Sequence, residues 1–120
     1  SCQDSEQLKY EQYFSEGYTL YTAYCANCHQ ADGGGLADLY PPLLRPELAH
    51  DRARFICIVK HGIADTLWID GKRYTRPMPG NARLPDIEIA EITTYVLTKW
   101  ANDSTYTSIE TVTQALAACQ

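Results

Sequence analysis

Cys25, Cys28 and His29 form a Cys-x-x-Cys-His motif, and this motif constrains the chain more than any other feature. The spacing is the attachment signature of a c-type haem, in which each thiol forms a thioether with one vinyl group of the porphyrin. The imidazole that follows then lies beneath the iron and becomes its proximal ligand. The sequence therefore predicts one haem c, bound covalently through Cys25 and Cys28, with His29 on the metal.

Two other kinds of site also use a pair of cysteines at this spacing. A thioredoxin-like dithiol normally follows a strand of a parallel sheet, and no such strand is predicted before Cys25. A zinc site needs a second pair of ligands, whereas Cys2, Cys57 and Cys119 are single and scattered. A thiol oxidoreductase remains the alternative that needs no haem.

The length and charge of the chain favour a small carrier. Its 120 residues fit one domain, and a haem would supply much of the apolar interior of a domain of this size. The net charge of −5 argues against nucleic-acid binding. No apolar run approaches the length of a membrane span.

The haem-attachment motif predicts an exported protein. Haem c is attached outside the cytoplasm, so we expect a periplasmic location, and Ser1-Cys2 is interpreted as the start of a processed product. Cys2 and the polar residues 3–7 resemble the lipid-modified cysteine and tether of a lipoprotein, with residues 1–5 as the tether. The alternative is a stray or disulfide-bonded cysteine.

The pattern of apolar residues predicts an all-α domain with one small hairpin. A capping box at residues 107–110 introduces the last helix, whose buried face is expected to carry Ile109, Val112, Leu116 and Cys119. In the first helix, Gly17 permits a close helix crossing. The predicted elements are a helix over about 6–25, a short helix over 49–60, a hairpin over 67–74, a helix over 85–100 and a final short helix that follows the capping-box residue Thr107.

The second iron ligand decides which function the haem serves. Met78 is the only methionine, and it lies between two prolines that restrict its loop. A thioether on the iron closes its coordination and favours electron transfer, whereas an open site binds gases or substrates. Met78 is the predicted ligand, and His50 and His61 are the competitors.

Taken together, these motifs resemble a class I, mitochondrial-type cytochrome c domain of the bacterial monohaem group, over about residues 17–100. The resemblance implies the cytochrome c fold, with helices around one covalent haem and the first and last helices crossing near it. It also implies that the carbonyl of Pro41 accepts the N–H of His29. The motifs that carry the resemblance are Gly17 with Tyr21, Cys25 to His29, Tyr40-Pro41-Pro42-Leu43, Met78-Pro79-Gly80, and Ile92 with Tyr95.

This resemblance extends the site and divides the chain. Residues 1–5 are the tether, 6–101 the cytochrome c domain and 102–120 a C-terminal extension packed on it. Arg73 and Arg76 join Tyr74 as candidates for binding the haem propionates. The full predicted haem-binding set is Cys25, Cys28, His29, Pro41, Leu43, Tyr74 and Met78, with His29 and Met78 on the iron.

A disulfide between Cys57 and Cys119 is the preferred interpretation of the remaining cysteines. Haem attachment implies an oxidising compartment, where disulfides persist. Such a bridge would fix the extension to the domain. Two buried free thiols, or a bond between Cys2 and Cys119, stay open as alternatives.

The leading functional hypothesis is a non-enzymatic, monomeric electron carrier. Its partners would be redox proteins: a respiratory complex, a terminal oxidase, or a periplasmic reductase or dehydrogenase. The alternative function is a haem enzyme or gas sensor with labile Met78.

Basic residues concentrate near the Met78 loop and form a basic ring in the sequence. An ordinary solvated surface is one interpretation of these residues, and a docking ring for an acidic partner is the other. The basic ring consists of Lys60, Lys72, Arg73, Arg76 and Arg83.

Overall fold

Two long helices, α1 (Ser5–Tyr24) and α4 (Asp86–Trp100), cross at Gly17 and form the centre of the fold. The computed structural model describes residues 4–120. Tyr21 of α1 is 1% exposed and packs against the rings of Tyr95 and Trp100, with centroid distances of 5.6 and 5.0 Å. The helix crossing expected from the sequence is therefore present.

Shorter helices complete the helical part of the molecule. The α-helix predicted over 49–60 begins only at Arg52, because residues Pro46–Asp51 form a 3-10 segment that leads directly into α3. The side chain of Asp51 accepts the backbone N–H of Arg54 at 3.3 Å and so caps α3. These elements are α2 (Ala26–His29), the 3-10 segment (Pro46–Asp51), α3 (Arg52–His61) and α5 (Ile109–Ala117).

The C-terminal helix α5 packs on α3 and α4, but it begins one residue later than the capping box predicts. Ser108 is the cap, and its hydroxyl accepts the N–H of Thr111 at 3.1 Å. Thr107 is instead buried: its N–H donates to Thr94 Oγ1 at 2.8 Å, and its hydroxyl accepts from Arg52 at 2.8 Å. Thr107 therefore joins the extension to two helices of the domain.

The buried face of α5 also differs from the prediction. Val112 is fully buried and Ala115 nearly so, whereas Ile109 is 38% exposed. Ile109 is the first residue of α5. The predicted stripe was therefore wrong at Ile109 and correct at Val112.

Two small antiparallel strand pairs accompany the helices. The predicted hairpin is present as β2 (Leu67–Ile69) and β3 (Lys72–Tyr74). A second pair, β1 (Gly62–Ile63) with β4 (Met78–Pro79), was not predicted, because two-residue strands leave no periodic pattern. The mainly helical fold class is confirmed.

Residues 1–3 of the predicted tether lie outside the described residues, and helix α1 begins one residue before its predicted start at about residue 6. The Asp4 side chain accepts the N–H of Glu6 at 3.0 Å, and α1 begins at Ser5. The interpretation of Cys2 as a lipid-modified residue lies outside the described residues. Within residues 4–120, no helix combines the length and the apolar character that a membrane span requires.

Candidate functional site

A cavity of about 390 Å³ lies between the helices and holds most of the predicted site residues. Its volume is within the range of ligand cavities in proteins. The predicted residues Cys25, His29, Pro41, Leu43 and Met78 line it. The side chains that complete its walls are mainly apolar, among them Tyr21, Phe55, Ile58, Val59, Ile92 and Val96.

A smaller cavity of about 60 Å³ contains the remaining predicted residues. Cys28 and Tyr74 line this second space, and Tyr74 is 5% exposed. His29, Pro41 and Met78 line both cavities. The structure therefore brings the whole predicted set into two adjoining spaces that share these three residues.

His29 is oriented by the main chain. Its ring is 8% exposed, and Nδ1 lies 3.0 Å from the carbonyl oxygen of Pro41. A carbonyl only accepts, so Nδ1 carries the proton and donates it, which leaves the lone pair on Nε2. Burial lowers the pKa of His29 and keeps the imidazole neutral. A neutral imidazole with Nε2 free is the form that binds a metal.

The side chains of Cys25 and Cys28 are half-buried. Burial raises the pKa of Cys25 to about 11, and Cys28 adds to the effect. A redox dithiol needs a lowered pKa to supply a thiolate, so this environment does not fit a thiol oxidoreductase. No group of three or more His, Cys, Asp or Glu side chains in residues 4–120 is placed to hold a metal ion by itself, which also disfavours a zinc site.

Met78 is fixed by the strand pair that the sequence did not predict. It pairs with Ile63 in the antiparallel register of β1 and β4. The competing histidines, His50 and His61, are exposed and line neither cavity. Among the three candidates for second ligand, only Met78 lies at the cavity.

These residues fit a haem c. Each of the two cysteines lines one of the adjoining cavities, a neutral imidazole keeps the lone pair on one nitrogen, and a thioether lines both spaces. Mostly apolar walls suit a porphyrin, whose faces are apolar.

The residues of the predicted basic ring lie in different surroundings. Lys72 and Arg73 line an open groove beside the hairpin, and Arg83 is exposed. Arg76 lies over the ring of Tyr40, 5.6 Å from its centroid, and also lines the smaller cavity. Lys60 instead donates to the carbonyl of Leu84 at 3.0 Å, so its ammonium group is engaged within the domain.

Sequence reasoning missed the role of α3 and of strand β2 in the cavity. Phe55 and Ile58 form a wall of the larger cavity, and Trp68 lines both that cavity and the outer groove, with 69% of its surface exposed. The run of apolar residues at 55–59 did carry a signal, because a helix that is apolar on several sides is covered on more than one of them.

Comparison with known proteins identifies the family. Residues 14–100 match the family described as Cytochrome c. Cytochrome c-552 of Thermus thermophilus is 31% identical over 93 residues, which cover 73% of this chain and 70% of that protein. A second cytochrome c-552 of the same species is equally similar, and the matched stretch covers 62% of it.

Two further relatives are subunits of larger enzymes. The fructose dehydrogenase cytochrome subunit of Gluconobacter japonicus is 32% identical over 110 residues, 86% of this chain and 22% of that subunit. The cytochrome c subunit of the quinone-type alcohol dehydrogenase of Komagataeibacter europaeus is 30% identical over 91 residues, 72% of this chain and 19% of that subunit. The match thus spans about a fifth of each subunit. The chain belongs to the cytochrome c family and carries haem c bound covalently through cysteines.

Proposed function

We propose that the chain is a periplasmic carrier of single electrons in which His29 and Met78 are the two protein ligands of the haem iron. The observation that carries the proposal is that both residues line both cavities, one presenting an imidazole and the other a thioether. Cys25 and Cys28 each line one cavity and are the proposed attachment points.

Each proposed ligand has its own support from the main chain. Haem c, when bound, supplies an iron that accepts and releases one electron. Pro41 fixes the imidazole and makes its free nitrogen a stronger donor. Met78 presents a thioether from a paired strand, and a thioether ligand favours the reduced state. Neither side chain has to move for an electron to pass, which suits a carrier.

The proposed partners are supported by the exposed surface and by the relatives. Two of the relatives are cytochrome subunits of dehydrogenases. We place this chain, as a monomer, in exchange with a respiratory complex, a terminal oxidase, or a periplasmic reductase or dehydrogenase. The exposed groove with Trp68, Lys72 and Arg73 is the proposed contact surface. Lipid attachment at Cys2 would hold the carrier at the membrane.

Carbon monoxide separates this proposal from a haem enzyme or gas sensor. The reduced wild-type protein should not bind carbon monoxide, because Met78 occupies the sixth position, whereas Met78→Ala should bind it. The oxidised wild type should show the weak near-infrared band of sulfur–iron bonding, and Met78→Ala should lose this band and have a lower reduction potential. Ready binding by the wild type would favour the enzyme or sensor, and a band retained in Met78→Ala would point to another ligand.

A further inference from the structure

Helix α3 is held on one side by the C-terminal extension. Cys57 of α3 and Cys119 are joined by a disulfide, with their Cα atoms 5.8 Å apart. At the start of the same helix, the guanidinium of Arg52 donates to the Thr107 hydroxyl at 2.8 Å and to the Asp103 carboxylate. The extension therefore holds α3 both at its first residue and at its middle.

The other end of α3 holds the loop that contains Met78. The carbonyl of Val59 accepts two hydrogen bonds from Asn81, one from its backbone N–H at 3.0 Å and one from its side-chain amide at 3.1 Å. Strand β1 follows α3 directly and pairs with β4. The loop lies so close to α3 that a Cβ on Gly80 would be 2.6 Å from the carbonyl carbon of His61.

These two attachments are separated by less than one helical turn. Cys57 precedes Val59 by two residues, and within a hydrogen-bonded helix such neighbours move together. Phe55 and Ile58 of the same helix line the larger cavity. A shift of α3 would therefore displace both the cavity wall and the loop that carries Met78.

We propose that Cys57 and Cys119 are positioning residues for Met78: their disulfide holds α3 in place, and α3 holds the Met78 loop against the haem. The proposal rests on the ligation by Met78 proposed above. Without the bridge, α5 stays attached through Val112 and Ala115, which are buried, but α3 gains freedom. The thioether then spends more time away from its position, and hydroxide competes with it at a lower pH.

The test uses the haem-loaded protein with both cysteines replaced, Cys57→Ala/Cys119→Ala. The near-infrared band of the oxidised protein is followed as the pH is raised. The pH at which half of the band is lost (the midpoint) should fall by about one unit. This shift corresponds to a tenfold change in the competition between the thioether and hydroxide. Hydrogen exchange at the Asn81 amide, which donates to Val59, should accelerate as well. A merely structural bridge would lower the melting temperature and leave the midpoint at its wild-type value.

Tyr106→Leu is the matched control, because it weakens the extension elsewhere. The rings of Tyr106 and Tyr13 meet edge to face with centroids 5.3 Å apart, between the extension and α1. This variant should lose stability without moving the midpoint. A midpoint shift as large as that of the cysteine variant would mean that the extension acts through general loosening, and would overturn the proposal.

Arg52→Gln and Asn81→Ala extend the test to variants that keep the disulfide. Both should shift the midpoint in the same direction, and Asn81→Ala combined with the cysteine replacements should shift it by less than the sum, because both act on one connection. An unchanged midpoint in the cysteine variant refutes the proposal. Absence of the band in the wild type refutes Met78 ligation instead, and the Asn81 exchange rate then still decides whether the bridge holds the loop.

Discussion

Gly17 lies directly against the carbonyl oxygen of Glu91, so that a Cβ at position 17 would be 2.1 Å from that oxygen. The oxygen belongs to the backbone of α4 and cannot rotate away. Gly17→Ala should therefore force α1 and α4 apart and lower the free energy of unfolding by about 1–3 kcal/mol. Denaturant unfolding of the haem-loaded protein measures this loss. Thr19→Ala, at an exposed position of the same helix, is the control and should be close to neutral; equal stability of Gly17→Ala and wild type would contradict the close crossing.

Through Glu91, the free energy of unfolding should depend on pH in a way that a carboxylate on the surface would not cause. Burial raises the pKa of Glu91 to about 7, and the charges of Glu16 and Glu88 add to the effect. The folded state thus binds this proton more tightly than the unfolded chain does, so stability falls as the pH rises through the acid range towards 7 and is constant beyond it. Glu91→Gln should abolish this dependence and stabilise the protein above pH 7, by at most about 1 kcal/mol because the group is partly exposed.

Removal of a neighbouring charge should shift this pH dependence of stability in a defined direction. Glu88→Gln removes one of the charges that raise the pKa of Glu91, so the loss of stability should be smaller and should end at a lower pH. Melting temperatures recorded between about pH 4 and pH 8 would show the shift. A pH profile of the wild type identical to that of Glu91→Gln would contradict this account.

The Cys57–Cys119 bridge should contribute to global stability. The two residues are 62 positions apart, so the closed loop is long, and loss of the bridge should cost about 2–5 kcal/mol. Peptide mapping without reductant should recover the pair as a single cross-linked species. Alkylation of both thiols in the denatured, unreduced protein would show that the bridge does not form.

The rate of electron transfer to a purified redox partner should depend on the salt concentration and on the residues of the open groove beside the hairpin. Steering by charge weakens as the Debye length falls from about 30 Å at 0.01 M to about 10 Å at 0.1 M, so the second-order rate should drop. Lys72→Glu/Arg73→Glu should lower the rate further, and Trp68→Ala should weaken the complex, since exposed Trp often anchors interfaces. Lys99→Glu, on exposed α4 surface outside the groove, is the control. Rates indifferent to salt and to these changes would assign docking to another face.

Short sequence motifs predicted most of the candidate site residues but few of the contacts that hold those residues in place. Cys25, Cys28 and His29 belong to one short motif, and Met78 stands alone between prolines, so their chemistry was visible in short segments. The hydrogen bond between Val59 and Asn81 joins residues 22 positions apart through one backbone carbonyl, which leaves no mark on composition or periodicity. The supporting contacts were therefore beyond the reach of sequence patterns.

The choice of the residue that caps α5 also lay beyond what sequence patterns could predict. Thr107 and Ser108 are both good caps, and the capping-box spacing favours Thr107. Arg52 and Thr94, distant in sequence, engage Thr107 and leave Ser108 to cap α5. Tertiary hydrogen bonds thus decided between two locally equivalent choices.

Trp68 belongs at once to the wall of the larger cavity and to the outer groove. A substitution at Trp68, in the first strand of this hairpin, consequently changes the cavity wall and the exposed groove together. Lys72 and Arg73 line the groove without lining the larger cavity, so this part of the surface can vary independently of the cavity.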